Sequence, residues 1–246
     1  MCNQRLTRSF SAVVLLFFPV MAAQAHYLWV DVDPDDGKHG TANLYFEEGP
    51  APGDGGYLDP FVERGRMWVR TLETGDPADL EMTEATAPKK RWLQAPLPQS
   101  TSRSVESYGK FGVYRYGETD VLLHYYAKCL QVADHDELHE LGRAEELELD
   151  IVPHDVSGGV ELTVLWRGEP APDRPVSVRG PGGLKQNLKT DEDGRVEIAV
   201  EKPGRYTFRT SVEEPDKSGV DDDGKEYDLT RHHSTLVIEL PLGAIE

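Results

Sequence analysis

Alternation of apolar and polar side chains with a period of two residues dominates the last third of this chain. Val196, Ile198 and Val200 alternate with charged or small residues, and the pattern recurs over 236–240. A period of two is typical of strands that have one buried face and one solvated face. Segments rich in Gly, Pro and Asp separate these runs and predict turns. About seven short strands in roughly 95 residues predict an immunoglobulin-like β-sandwich over 149–246.

The preceding part, 26–148, also favours strands, although its pattern is less regular. Apolar runs predict strands at 27–32, 42–47, 66–71, 112–116 and 121–129. The Pro- and Gly-rich stretches 48–56 and 75–103 predict long loops, and the Glu- and Leu-rich segment 134–148 predicts a helix or a linker. We therefore expect an all-β protein with an N-terminal β domain, 26–148, followed by the sandwich domain, 149–246.

The first 25 residues have the pattern of a secretory signal peptide. Arg5 and Arg8 form a positive region, 10–18 is a short apolar run, and Ala23-Gln24-Ala25 is a small-x-small cleavage site. The apolar run is too short to cross a bilayer. We expect cleavage after Ala25 and a periplasmic or extracellular protein with no membrane insertion after cleavage.

The charge balance excludes several classes of partner. The chain has 26 basic and 44 acidic residues, a net charge of −18. Such a charge repels nucleic acid and anionic membrane surfaces, so we expect neither as a partner. After removal of 1–25 the only cysteine is Cys129, which excludes an intrachain disulfide, and its apolar surroundings favour a buried, inert thiol.

A histidine at the predicted mature terminus offers two nitrogen ligands at once. The α-amine and the imidazole Nδ1 of His26 can chelate one metal ion, because the amine titrates near pH ~7.7 and yields its proton to a metal at neutral pH. One distant histidine would complete a three-nitrogen set that suits Cu(II) or Ni(II). The alternative is that cleavage merely leaves a histidine at this position.

His232 and His233 open the last predicted strand and can supply the distant nitrogen. Successive strand residues point to opposite faces, so at most one of the two faces any given site. His124, in the predicted strand 121–129, is a further ligand or a supporting group. We therefore predict metal ligands at His26, His124, His232 and His233. The alternatives are an exposed pair at 232–233 and a hydrogen-bonded structural histidine at 124.

Several segments together resemble one family. They are Ala25-His26-Tyr27-Leu28-Trp29-Val30, the central run 122–128, the segments 147–153 and 167–176, the turns 190–196 and 203–206, and His232-His233-Ser234-Thr235-Leu236. The chain resembles the NikM-like periplasmic family of domains of unknown function, which is associated with nickel and cobalt uptake. The resemblance implies a periplasmic protein that binds or hands over a nickel or cobalt ion, with a membrane transporter component as partner. The turns of the second domain are also shared with prealbumin-like β-domains.

Two other functions remain open at this point. The chain has no GxSxG motif, no Gly-rich phosphate loop and no activated cysteine, so we expect that it is not an enzyme. A sandwich domain without metal can instead serve as a scaffold or as a carbohydrate- or protein-binding module. An N-terminal histidine that holds copper can also support oxidative chemistry on polysaccharides, which is the enzymatic alternative.

Overall fold

The computed structural model describes residues 26–34, 39–74, 76–100 and 102–243, and the predicted signal peptide lies outside them. The described chain is built from strands of two to fourteen residues and two short α-helices. The part before residue 149 contains β1 (Tyr27–Asp33), β2 (Thr41–Glu47), α1 (Asp59–Arg64), β3 (Arg66–Thr71), β4 (Ala78–Asp79), β5 (Thr83–Ala87), β6 (Lys90–Pro96), β7 (Arg103–Tyr116), β8 (Thr119–Gln131) and α2 (His135–Leu141). The remainder contains β9 (Leu149–Val156), β10 (Gly159–Trp166), β11 (Glu169–Pro170), β12 (Pro175–Gly180), β13 (Leu184–Lys189), β14 (Arg195–Ala199), β15 (Gly204–Glu214), β16 (Gly219–Val220), β17 (Glu226–Tyr227) and β18 (Leu229–Leu240).

One eight-stranded sheet runs through the centre of the molecule, in the order β13-β12-β15-β18-β8-β7-β3-β4. Its strands pair antiparallel except at β18 and β8, which pair parallel with His232 beside His124. Strands from before and after residue 149 therefore share one sheet. The predicted domain boundary between 148 and 149 stays a prediction.

Two smaller sheets cover opposite faces of the central sheet. One face of β8, with Leu123 and Tyr125, packs in a core with β1 and β2. The other face, with Tyr126 and Leu130, belongs to a second core with β9 and β10. Both cores follow from the alternation of side chains along each strand, which sends neighbouring residues to opposite faces. The all-β, sandwich-like prediction is confirmed.

Two local predictions need correction. The segment 75–103 was predicted as a long loop, but it contains β4, β5 and β6. The predicted helix over 134–148 is shorter, because α2 covers only His135–Leu141. Asp134 caps this helix by accepting a hydrogen bond from the Glu137 backbone N–H at 3.0 Å, and the helix ends at Gly142.

The helices of the described chain are short. Among the described residues, no helix is both long and apolar enough to cross a membrane.

Cys129 lies on β8 with 4% of its surface exposed, in the core beneath β1 and β2. Burial raises the pKa of its thiol far above the ordinary range, so the thiol stays protonated.

Candidate functional site

The four predicted metal ligands lie on two faces of the central sheet. In the parallel pairing of β18 with β8, His232 lies beside His124 and His233 lies beside Tyr125. Paired residues share a face, and successive residues do not. His124 and His232 therefore face the core with β9 and β10, whereas His233 faces β1, the strand that follows His26.

The pair formed by His124 and His232 is held by its own hydrogen bonds. The two rings stack with centroids 4.9 Å apart. Nδ1 of His124 lies 2.8 Å from the Tyr108 hydroxyl, and Nδ1 of His232 lies 3.2 Å from the Tyr126 hydroxyl. Nε2 of His232 lies 2.9 Å from a carboxylate oxygen of Glu214. Three of the four ring nitrogens thus have protein partners, which suits a structural role.

Burial keeps both rings of this pair neutral. Loss of solvation lowers the pKa of His124 to about 4, and His232 beside it adds to the effect. Loss of solvation likewise lowers the pKa of His232 to about 4, against the opposing influence of Glu214. At neutral pH the two stacked imidazoles therefore carry no charge and do not repel each other.

His26 and His233 line one cavity of about 660 Å³ on the opposite face. The Thr235 hydroxyl donates a 2.6 Å hydrogen bond to the Leu28 carbonyl, which ties β1 to β18 beside this cavity. The His233 ring lies 5.3 Å from the Tyr27 ring. The structure thus brings together the predicted terminal histidine and one member of the predicted pair.

The His26 imidazole also contacts a carboxylate. Its Nε2 lies 3.7 Å from Oε2 of Glu47, and 24% of the His26 side chain is exposed. Glu47 is held by its backbone and its side chain: its carbonyl accepts from the Trp29 indole at 3.0 Å, and its Oε1 accepts from the Gly55 N–H at 3.4 Å. His26, Glu47 and Asp54 also help to line a second cavity of about 390 Å³.

His233 is electrostatically unusual. Its Nδ1 is buried and has no hydrogen-bond partner in the described part of the chain. Burial, helped by the nearby charge of Arg231, lowers the pKa of His233 to about 3. A neutral imidazole with an unsatisfied nitrogen can accept or donate one further hydrogen bond, or can bind a metal, depending on its tautomer.

Side chains alone do not complete a metal site. Within 26–34, 39–74, 76–100 and 102–243, no group of three or more His, Cys, Asp or Glu side chains is placed to hold a metal ion. A site built at His26 from these described residues therefore needs a further donor besides their side chains. The α-amine of a mature terminus is such a donor.

Glu47 and the tyrosines that line the larger cavity were not among the residues predicted from the sequence. Tyr57, Tyr114 and Tyr116 line this cavity and are 48%, 41% and 42% exposed. Tyr114 and Tyr116 are two residues apart in a predicted strand, so a shared face could have been predicted from their spacing. That this face is the one with His233 depends on an irregularity in the pairing of β7 with β8.

Two solved structures resemble parts of the fold only weakly. A biofilm-associated protein, its BSP domain, matches with a TM-score of 0.20 at 12% identity, over 82% of this chain and 27% of that chain. A pullulanase complexed with maltotriose, from Anoxybacillus sp. LM18-11, matches with a TM-score of 0.19 at 11% identity, over 84% and 28%. The chain thus spans little more than a quarter of these structures, and the likeness carries no argument.

The sequence places the chain in a family. No curated protein matches it. A family model described as a domain of unknown function, DUF4198, matches residues 23–214, which include His26 and His124 but not the pair at 232–233. The match does not extend to a nickel or cobalt role. The chain belongs to the DUF4198 family, a family of unknown function.

Proposed function

We propose that this is an exported, periplasmic protein that binds a transition-metal ion at His26 for uptake or delivery, without catalysis. One observation carries the proposal: His26 and His233, two of the predicted ligands, line the same cavity. The metal is nickel or cobalt by resemblance, with copper as a further possibility. A membrane transporter component would be the partner that receives it.

The contact with Glu47 supports the chelating form of His26. A carboxylate 3.7 Å from Nε2 favours a proton on that nitrogen, which leaves the Nδ1 lone pair available. Nδ1 is the ring nitrogen that can close a compact chelate with the α-amine of the same residue. Signal cleavage after Ala25 would create that amine.

His233 supplies the third nitrogen in this proposal. Its low pKa keeps the ring unprotonated, which metal binding requires, and its Nδ1 has no competing partner among the described residues. His124 and His232 face the other core and hydrogen-bond to Tyr108, Tyr126 and Glu214. We therefore assign them no direct role, and the proposed ligand set is narrower than the four predicted histidines.

The experiment is a calorimetric titration of Ni(II), Co(II) and Cu(II) into mature protein that begins at His26. The matched comparison is the same protein with one alanine before His26, which converts the amine into an amide. We expect affinity to fall by about 100-fold or more with the added alanine, because a chelate loses one of its two donors. His233→Gln should also weaken binding, whereas His139→Gln, at an exposed position of α2, should not.

Equal binding by both termini would contradict the chelate. Absence of binding by either would remove the metal proposal altogether. The remaining interpretation would then be a binding module without metal, and the aromatic wall of the cavity is the observation that favours it.

A further inference from the structure

The cavity shared by His26 and His233 is much larger than a metal ion needs. We call it the aromatic cleft, and it is lined mainly by Tyr27, Tyr57, Phe111, Tyr114, Tyr116 and Tyr125. Its volume of about 660 Å³ lies within the range of sites that hold one small organic molecule.

A β-bulge in β7 turns the tyrosines toward the cleft. Lys110 pairs with His124, but Gly112 pairs with Leu123, so Phe111 is an extra residue in β7. Before the bulge, even-numbered β7 residues share the face of His124. After it, they share the face of Leu123 and Tyr125, because one inserted residue reverses the alternation.

The bulge therefore determines the composition of the cleft wall. Tyr114 and Tyr116 follow the insertion and line the cleft with their rings 4.9 Å apart. Phe111 itself lies 5.4 Å from the Phe46 ring. Gly112 permits the turn with φ +101°, a conformation that side-chain-bearing residues rarely adopt. A local break in a regular strand thus creates an exposed aromatic surface, which usually marks a binding site.

The two arginines among the residues that line the cleft are each ion-paired with a carboxylate. No Asp or Glu lines the cleft itself among the residues that the structure describes. Arg231 shares the face of His233, donates through Nε and one amino group to Glu213, and lies 5.2 Å from the centre of the Tyr116 ring. Arg115 lies between Tyr114 and Tyr116 in β7, so its side chain points to the other face, where it pairs with Asp120. The second amino group of Arg231 makes no hydrogen bond within the described chain.

One buried polar atom of the cleft wall lacks a partner in the described chain. His233 lines the cleft with its Nδ1 unsatisfied among described residues. Buried polar atoms without partners are rare, and a bound ligand is one way to satisfy them.

We propose that the aromatic cleft binds a small organic carboxylate that carries a flat or ring-shaped body. The ring would stack on Tyr114 and Tyr116, as rings do on exposed aromatic side chains. The carboxylate would accept a charge-assisted hydrogen bond from the amino group of Arg231 that does not contact Glu213. An acidic sugar and an aromatic acid share this chemistry.

The test is a ligand-observed NMR and calorimetric titration of metal-depleted mature protein with four probes. Benzoate and benzyl alcohol differ in the carboxylate, as do glucuronate and glucose. We expect at least one carboxylate to bind about tenfold or more tightly than its neutral partner, because Arg231 recognises the charge. Which carboxylate binds decides between an aromatic and a sugar ring.

Variants locate the binding. Arg231→Met should remove most of the preference for the carboxylate, and the exposed Tyr116→Ala should weaken all binding by about tenfold. Arg179→Met, at an exposed position of β12, is the matched control and should change nothing. The circular dichroism spectrum of each variant checks that it is folded.

Three outcomes would overturn the inference. They are equal binding of charged and neutral probes, no binding of any probe at roughly 10 mM, and carboxylate binding that survives both Arg231→Met and Tyr116→Ala. The added alanine before His26 separates this inference from the metal proposal. It should abolish chelation of metal and leave carboxylate binding in place.

Discussion

The imidazoles of His124 and His232 stack 4.9 Å apart across the parallel junction of β8 and β18. Both rings have pKa values lowered to about 4 from an ordinary value of 6.5, chiefly by burial. The unfolded chain therefore takes up protons first as the pH falls. The stability that the neutral pair contributes is complete above pH 6.5 and is lost as the pH falls toward 4.

We predict a loss of about 2 kcal/mol of unfolding free energy from His232 alone between pH 7 and pH 5. The measurement is the urea midpoint at half-unit pH steps. His232→Gln should make the decline between pH 6.5 and 5 shallower, whereas His139→Gln, on the exposed surface of α2, should leave it unchanged. An unchanged slope in His232→Gln would show that this pair does not cause the acid sensitivity.

A buried ion pair fixes the segment after α2 to the central sheet. Nζ of Lys128 donates to Asp150 and to the Gly142 carbonyl, and both charged side chains are almost fully buried. Lys128→Met would leave the Asp150 carboxylate buried without its partner, so we predict a loss of about 3–5 kcal/mol in unfolding free energy. Chemical denaturation measures it.

The double variant provides the control for that prediction. Lys128→Met combined with Asp150→Leu removes both charges, and we expect it to be more stable than Lys128→Met alone. At the exposed pair of Lys189 and Asp173, Lys189→Met should have no measurable effect, because solvent screens surface ion pairs. A double variant as unstable as the single one would mean that hydrogen bonds to Asp150, not charge pairing, dominate.

Gly53 leaves the space that the Glu47 carboxylate occupies. A Cβ at Gly53 would lie 2.1 Å from the Glu47 carboxyl carbon, so Gly53→Ala must displace that flexible side chain. If Glu47 orients His26 for metal, Gly53→Ala and Glu47→Gln should each lower metal affinity by about tenfold or more. Calorimetry on the mature protein measures this.

The matched control is Gly49→Ala, in the same loop, where an added Cβ meets no atom within 4 Å. It should bind metal as the parent does. If Gly53→Ala binds metal as tightly as the parent protein, Glu47 does not contribute to the proposed chelate, even if the terminus itself binds metal.

Cys129 should report unfolding. It is 4% exposed, and burial raises the pKa of its thiol. We predict that a disulfide reagent modifies mature protein only at the rate of unfolding at pH 8, because a buried, protonated thiol is a poor nucleophile. The absorbance of the thiolate that the reagent releases, followed with and without urea, measures the rate of modification. Rapid, stoichiometric modification of native protein would show that β1 opens from β8.

The sequence predicted strands well where one face is apolar. The prediction at 66–71 coincides with β3, and 27–32 falls one residue short of the end of β1. β5 was missed because its side chains are nearly all exposed, so no apolar alternation identifies it. Periodicity detects a buried face, and β5 has very little of one.

The candidate site was only partly predicted, because sequence patterns report on one strand and not on how distant strands pair. Alternation correctly separates His232 from His233, because it is a local property of one strand. The partnership of His232 with His124 depends on the register between β18 and β8, which lie about a hundred residues apart in the chain. The bulge at Phe111 is equally hidden, since nothing in the local pattern shows which strand residue lacks a partner.

The junction of β8 and β18 also sets the order in which the molecule can be assembled. Until β18 has been synthesised, the strands of the central sheet form two groups that are not hydrogen-bonded to each other. One group ends at β8 and the other ends at β15. Closing them requires contacts that are distant in the chain, which are slow to form. A nascent chain that has not yet reached Leu229 therefore has neither core complete, and the final twelve-residue strand completes both at once.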